Sequence, residues 1–221
     1  SFGELVSSRI MSELLRTRGH GNIWLDTRLL IRTNSNYGFA AVDFAETDQR
    51  IREALATSAA RIYVLPGFIA SGPDGATTTL GRGGSDYTAA IVAAAAEADV
   101  LEIWTDVNGM MTADPRFVRN VRQIPRINYR EAMELSHFGA KVIYPPTIQP
   151  VIAKGIPLWI KNTFEPAAPG TLIEAETSEK DGIIRGITSI DRIAVLSLEG
   201  SGMVGIPGFS KRLFDALSRA T

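Results

Sequence analysis

At 221 residues the chain can bury the core of one large domain or one and a half ordinary ones. With 45% hydrophobic and 21% charged residues, its composition argues against disorder and against a membrane protein. Twenty-three basic residues against 24 acidic ones leave a net charge of −1, which removes the electrostatic argument for nucleic acid. The absence of cysteine excludes a disulfide framework and a thiolate metal site, and His20 and His137 lie too far apart in sequence to make a metal case. The longest apolar run, 89–96, is short and closed by Glu97, so no membrane span is expected.

In chain order, Leu5, Ile10, Leu14 and Leu15 recur at roughly helical spacing, and Gly19 sits where that helix should end. Strands are predicted at 23–26, 29–33 and 39–44. Asp48 reads as the N-cap of a helix carrying Ile51, Ala54 and Leu55. Residues 62–65 form a buried strand, and 68–70 and 77–80 flank a Gly72-Pro73-Asp74-Gly75 hairpin turn. A glycine loop at 81–84 opens a helix over 85–98, and 100–105 reads as another buried strand. Helices near 129–138 and 146–154 and a strand at 157–161 continue the alternation. Strands alternating with helices predict an α/β layered sheet, with ligands beyond the carboxyl ends of the strands. A polar stretch at 175–182 reads as a linker. Beyond it, strands are predicted at 183–187 and 193–198 and a helix at 208–219. That piece is too small to hold a core alone.

Chemistry concentrates in four segments. Gly81-Arg82-Gly83-Gly84-Ser85-Asp86 is neither a Walker loop nor a dinucleotide fingerprint, since Asp86 replaces the third glycine. Its glycines let the backbone approach a ligand, and the helix start favours an anion. Arg82 offers a fork for a carboxylate and Asp86 a charge for an ammonium, the pair a zwitterionic amino acid needs. The bland alternative is a solvated Arg82 and an Asp86 that only complements the helix dipole. The loop running from Thr105-Asp106 through Met111 to Arg116 leaves a strand end where a nucleotide would sit; as a lone feature it is more often an ordinary surface loop. Lys141, in Phe138-Gly139-Ala140-Lys141-Val142, becomes a phosphate ligand only if those two loops hold a nucleotide and its acceptor. Ser1-Phe2-Gly3-Glu4 has the pattern of a helix capping box.

Together SFGE, GRGGSD, TDVNGMMTADPR and FGAKVIYPP, in this order, resemble the aspartokinases of the amino acid kinase family, from residue 1 to about 173. The resemblance implies an αβα sandwich around a mainly parallel eight-stranded sheet. It implies transfer of the ATP γ-phosphate to the side-chain carboxylate of L-aspartate, with Mg²⁺ held mainly by ATP. On this likeness Arg82 and Asp86 are catalytic. Glu4, Arg82, Gly83, Gly84, Ser85 and Asp86 bind aspartate, and Thr105, Asp106, Met111, Arg116, Lys141 and Val142 line the ATP site. Met111 departs from the tyrosine that related enzymes often carry there. The family's opening Lys-Phe-Gly-Gly strand is not found in the sequence, so the chain is expected to be cut short at both ends and inactive as given.

The likeness also implies a catalytic domain over 1–174 and, over 183–221, the start of a ferredoxin-like ACT regulatory domain that binds a regulatory amino acid. Gly200-Ser201-Gly202-Met203-Val204-Gly205 imitates a dinucleotide loop, but Pro207 would fall inside the helix such a loop requires. Residues 206–214 lean towards the bifunctional aspartokinase–homoserine dehydrogenases. A homo-oligomer is the family expectation, with no nucleic-acid or membrane partner, and the cytoplasm is the default compartment. Two other readings remain open: a sister kinase for glutamate, acetylglutamate or a nucleoside monophosphate, and a non-catalytic amino-acid sensor.

Overall fold

The computed structural model describes residues 1–137, 142–176, 184–189 and 208–219. The chain divides into two compact units, Ser1–Ser189 and Ile190–Thr221.

The first unit opens with helix α1 (Phe2–Thr17), the helix predicted there, with Leu5 and Leu15 half-buried on its inner side and Ile10 and Leu14 exposed. Its buried positions are Ser8 and Ser12. The Ser8 hydroxyl accepts the Trp24 indole N–H at 2.9 Å, and the Ser12 hydroxyl donates to Asn22 Oδ1 at 2.6 Å. Phe2, Val6, Ile10, Met11 and Leu14 are exposed. Hydrogen bonding to Asn22 and Trp24 thus adds two serines to the inner face that Leu5 and Leu15 share. Ser1 stands at the N-cap but makes no side-chain capping bond, so the pattern it forms with Glu4 is not a closed capping box.

Strand β1 (Ile23–Trp24) pairs in parallel with β2 (Tyr63–Val64). The strand expected at 29–33 is replaced by helix α2 (Thr27–Leu30), because the Asp26 carboxylate caps it, accepting the Arg28 N–H at 3.0 Å. The same carboxylate pairs with the Arg28 guanidinium at 2.6 Å. The strand expected at 39–44 shrinks to a bridge between Thr33 and Val42. Asp43, not Asp48, then caps helix α3 (Phe44–Ala56) by accepting the Glu46 N–H at 3.1 Å. Asx residues compete for caps locally, and the earlier one wins here. Strands β3 (Ile69–Ser71) and β4 (Thr77–Thr79) form the expected antiparallel hairpin, turned at Gly75.

Helix α4 (Gly84–Ala95) lies between two cores. Ala90 and Ala93 pack into a cluster with Ile103, Ile127, Leu158, Ile160 and Ile173. Ile91 and Ala95 pack into a second cluster with Leu30, Ile31, Ile51 and Leu80. A helix flanked on both faces needs small side chains, which accounts for its alanines. Strands β5 (Leu101–Thr105), β6 (Arg126–Asn128), β7 (Leu158–Asn162) and β8 (Thr171–Glu174) form a four-stranded sheet in the order β5-β7-β8-β6. Pairs β5–β7 and β6–β8 are parallel, and β7–β8 is antiparallel. Among the described residues the strands therefore form three separate sheets where the resemblance implies one, while parallel pairing still leads within the largest. Strands β6 and β8 were not predicted: each is only three or four residues long, and they pair with each other across a long stretch of sequence.

Helix α5 (Tyr129–His137) begins with a reciprocal capping box: Asn128 Oδ1 accepts the Glu131 N–H at 2.9 Å, and Glu131 Oε2 accepts the Asn128 N–H at 3.2 Å. A 3-10 turn (Pro145–Ile148) leads into α6 (Gln149–Lys154). In the second unit the described element is α7 (Phe209–Arg219), the helix predicted there, preceded by Gly208 at φ 83. The strand expected at 193–198, Gly200 to Gly205 and Pro207 lie outside the described residues. No described helix is long and apolar enough to cross a membrane.

Candidate active site

The hairpin delivers the chain to a loop whose backbone only glycine adopts easily. Gly81 has φ 74, and Gly83 caps α4 at φ 69. At Gly84 a Cβ would overlap the Phe68 ring, and at Gly67 it would crowd Ser85. Two backbone segments, 66–68 and 83–85, are thus held in close approach.

Phe68 sits at φ 72, a costly conformation for an aromatic residue. Its N–H donates to Thr88 Oγ1 at 3.0 Å, its carbonyl accepts the Leu80 N–H at 3.0 Å, and the Thr88 hydroxyl donates to the Gly84 carbonyl at 2.8 Å. Phe68 therefore braces the glycine loop. Sequence reasoning placed it in a strand, since no residue pattern announces a left-handed phenylalanine.

Arg82, Gly83, Gly84, Ser85 and Asp86 stand together across the first turn of α4. Asp86 is half-buried, and that burial raises its carboxyl above the ordinary 3.8. A cationic group beside it would reverse the penalty. Arg82 is exposed, with its guanidinium 5.5 Å from the centroid of the Tyr144 ring. This contact joins the glycine loop to the segment after Val142. Glu4 stands apart in sequence, half-buried on α1, which packs against β1 and β2.

A cavity of about 390 Å³ opens beyond the carboxyl end of β5, lined in part by Val107, Gly109, Met111, Asp114, Arg116 and Val142. Three predicted nucleotide residues, Met111, Arg116 and Val142, thus meet on one wall system. Thr105 and Asp106 occupy the strand end beside Val107, with the Thr105 hydroxyl 3.2 Å from Asp106 Oδ1. Lys141, like Phe138, Gly139 and Ala140, lies outside the described residues. Arg116 pairs with Asp114 at 2.6 Å and holds its carboxyl below the ordinary value through that hydrogen bond. A phosphate arriving there shares Arg116 with Asp114.

The loop's shape depends on residues the sequence did not single out. Buried Thr171 donates its hydroxyl to the Ile124 carbonyl at 2.7 Å and accepts the Met110 N–H at 2.8 Å. Gly109, at φ 118, has no room for a Cβ against Thr171. Asn162, at the end of β7, donates to Asn108 Oδ1 at 2.5 Å, and Asn108 donates to Glu165 at 3.0 Å. Asn108-Gly109 carries a turn signal, but nothing in the local pattern marks Thr171.

A model of the amino acid kinase family matches residues 1–162. The bifunctional aspartokinase/homoserine dehydrogenase of Haemophilus influenzae is 40% identical over 218 residues, which are 99% of this chain and 27% of that protein. Lysine-sensitive aspartokinase 3 of Escherichia coli is 38% identical over 220 residues, 99% of this chain and 49% of that protein. The chain thus spans between about a quarter and a half of these relatives. The structure of E. coli aspartokinase III with aspartate and ADP superimposes with a TM-score of 0.75 at 41% identity, over 80% of this chain and 40% of that one. Its complex with lysine and aspartate gives 0.73 at 35% identity, over 98% and 49%. UMP kinase from Ureaplasma parvum, at 16% identity and a TM-score of 0.53 over 78% and 68%, shares the fold alone.

Proposed function

We propose that the chain, which belongs to the amino acid kinase family, is the catalytic part of an aspartokinase that phosphorylates the side-chain carboxylate of L-aspartate with ATP. The observation that carries this reading is the placement of Arg82 and Asp86 on one turn at the start of α4, with Asp86 half-buried. An amino acid needs both signs of charge at once. A cavity at the end of β5 supplies a separate place for the nucleotide. Likeness to an aspartokinase structure with aspartate and ADP supports the same assignment.

In this reading Asp86 holds the substrate ammonium and Arg82 a carboxylate, while the glycine backbone lets the ligand approach the helix start. Glu4 completes the substrate set. Val107, Met111 and Val142 give the nucleotide base an apolar wall, and Arg116 meets its phosphates. Thr105, Asp106 and Lys141 belong to the nucleotide set by family likeness. Mg²⁺ would be held mainly by the nucleotide's own oxygens, with the Asp106 carboxylate beside Val107 as a hard oxygen donor that suits it. When bound, Mg²⁺ neutralises phosphate charge.

The aspartate carboxylate is already ionised at neutral pH and needs no general base. Its oxygen forms the new bond to the γ-phosphorus while the bond to the β,γ-bridging oxygen breaks and ADP leaves. The chain's task is to hold both groups in line and to offset charge.

The same proposal divides the chain into a catalytic domain over 1–174, a connecting segment whose residues 184–189 stay with the first unit, and an ACT module beyond Ser189 that takes a regulatory amino acid. It includes a homo-oligomer and a cytoplasmic setting. An ADP-release assay on the protein in its full natural length, with L-aspartate, L-glutamate, N-acetylglutamate and UMP in parallel, tests it. Turnover is expected with L-aspartate; turnover with another acceptor alone would replace the reading with a sister kinase.

A further inference from the structure

Residues 184–189 fall beyond the 1–162 stretch matched by the family model, and their sequence reads as a regulatory strand. In the structure they run as an irregular strap within the first unit. The Ile187 N–H donates to the Thr112 carbonyl at 2.8 Å, in the middle of the nucleotide loop. Arg185 lies 3.7 Å from Glu131 Oε1, the glutamate that closes the α5 capping box. Gly186 is packed so closely that a Cβ would stand 3.1 Å from Leu135 Cδ2 and 3.2 Å from the Thr112 carbonyl. Ile187, Thr188 and Ser189 then line the same cavity of about 390 Å³ as Met111, Arg116 and Val142.

We infer that this strap is a wall of the nucleotide site: Ile187 completes its apolar face, and the bond to Thr112 holds the loop that carries Met111 and Arg116 in its binding shape. The inference rests on the reading of this cavity as the nucleotide site. Three independent fastenings (a backbone bond, an ion pair and a glycine contact) act on six consecutive residues, so the strap's position is specified. A loop tied on one side by Thr171 and on the other by Ile187 enters the complex already shaped, which lowers the ordering cost of binding. Thr188 and Ser189 add hydroxyls to a lining that also carries Asp114 and Arg116, the polar groups that small-molecule sites use to fix orientation.

The test uses the protein in its full natural length and ADP as the probe, titrated by calorimetry. Ile187→Pro removes the N–H that meets Thr112, and Gly186→Val wedges the strap away from Leu135. Each is expected to weaken ADP binding about tenfold, with the Michaelis constant for L-aspartate little changed. Ile187→Val keeps the N–H and most of the apolar surface, and should recover most of the ADP affinity that Ile187→Pro loses. Should either variant fail to fold, hydrogen exchange at the Ile187 amide of the parent protein replaces it: added ADP is expected to slow that exchange. Unchanged ADP affinity in folded variants, or Ile187 exchange indifferent to ADP, overturns the inference while leaving the kinase reading intact. A parent protein that binds no ADP overturns the kinase reading itself and the strap with it.

Discussion

The Arg82 guanidinium lies 5.5 Å from the centroid of the Tyr144 ring, linking the start of α4 to the chain that follows Val142. That contact gives the exposed Arg82 side chain a partly fixed orientation.

Arg82→Ala should raise the Michaelis constant for L-aspartate roughly ten- to a hundredfold, the equivalent of losing one charge-assisted contact of about 1.5–3 kcal/mol. ADP affinity should hardly move. Tyr144→Ala should produce a weaker version of the same defect, since an exposed cation–π contact contributes about 0.5–1 kcal/mol. Steady-state kinetics with each substrate varied in turn checks both. Equal losses for aspartate and nucleotide would remove Arg82 from the acceptor site.

Asp86→Asn should abolish aspartate use yet stabilise the free protein at neutral pH. Burial raises the folded carboxyl above its ordinary 3.8, so the native state binds the proton more tightly than the unfolded chain does. Stability then falls as pH rises from the ordinary value through the raised one. The asparagine variant lacks that loss: its advantage should be present above this window and vanish below it. Urea melts across acid and neutral pH read the difference directly.

Thr171→Val should weaken nucleotide binding and Thr171→Ser should restore most of it. The valine strands the Met110 N–H and the Ile124 carbonyl, each buried group costing about 1–3 kcal/mol when unpaired. A purely structural role would lower the melting temperature with both Michaelis constants unchanged. The account expects the constant for ATP to rise well above that for aspartate.

Glu97→Gly should stabilise the fold. Glu97 is exposed at φ 51 just past α4, where its N–H bonds the Ala94 carbonyl at 3.3 Å and Ala98 bonds Ala93 at 3.0 Å. Glycine is the residue that such a left-handed helix end prefers, and the gain should be about 1 kcal/mol. Thermal unfolding checks it, with no change expected in substrate constants.

The glycine loop was legible in the sequence because its chemistry is local: four consecutive residues, Arg82 to Ser85, and Asp86 fall on one turn. The cavity proposed for the nucleotide was legible in part. Met111, Arg116 and Val142 line it as expected, whereas Thr171 and Ile187 were not singled out, because each acts through hydrogen bonds to residues remote in sequence. Helix α1 was legible from its apolar spacing, but the burial of Ser8 and Ser12 beside Leu5 and Leu15 was not, because it depends on Trp24 and Asn22. Asp26 and Asp43 turned two expected strands into helix starts, since one well-placed carboxylate outweighs a short run of β-formers.

The most direct measurement of the central claim is the chemical identity of the product. The protein in its full natural length, supplied with MgATP and L-aspartate, should accumulate an acyl phosphate on the side-chain carboxylate. Hydroxylamine should trap it as aspartyl β-hydroxamate, in equal amount to the ADP released. ATP-dependent turnover that yields no hydroxamate with L-aspartate, but does so with L-glutamate or transfers phosphate to UMP, would contradict the account.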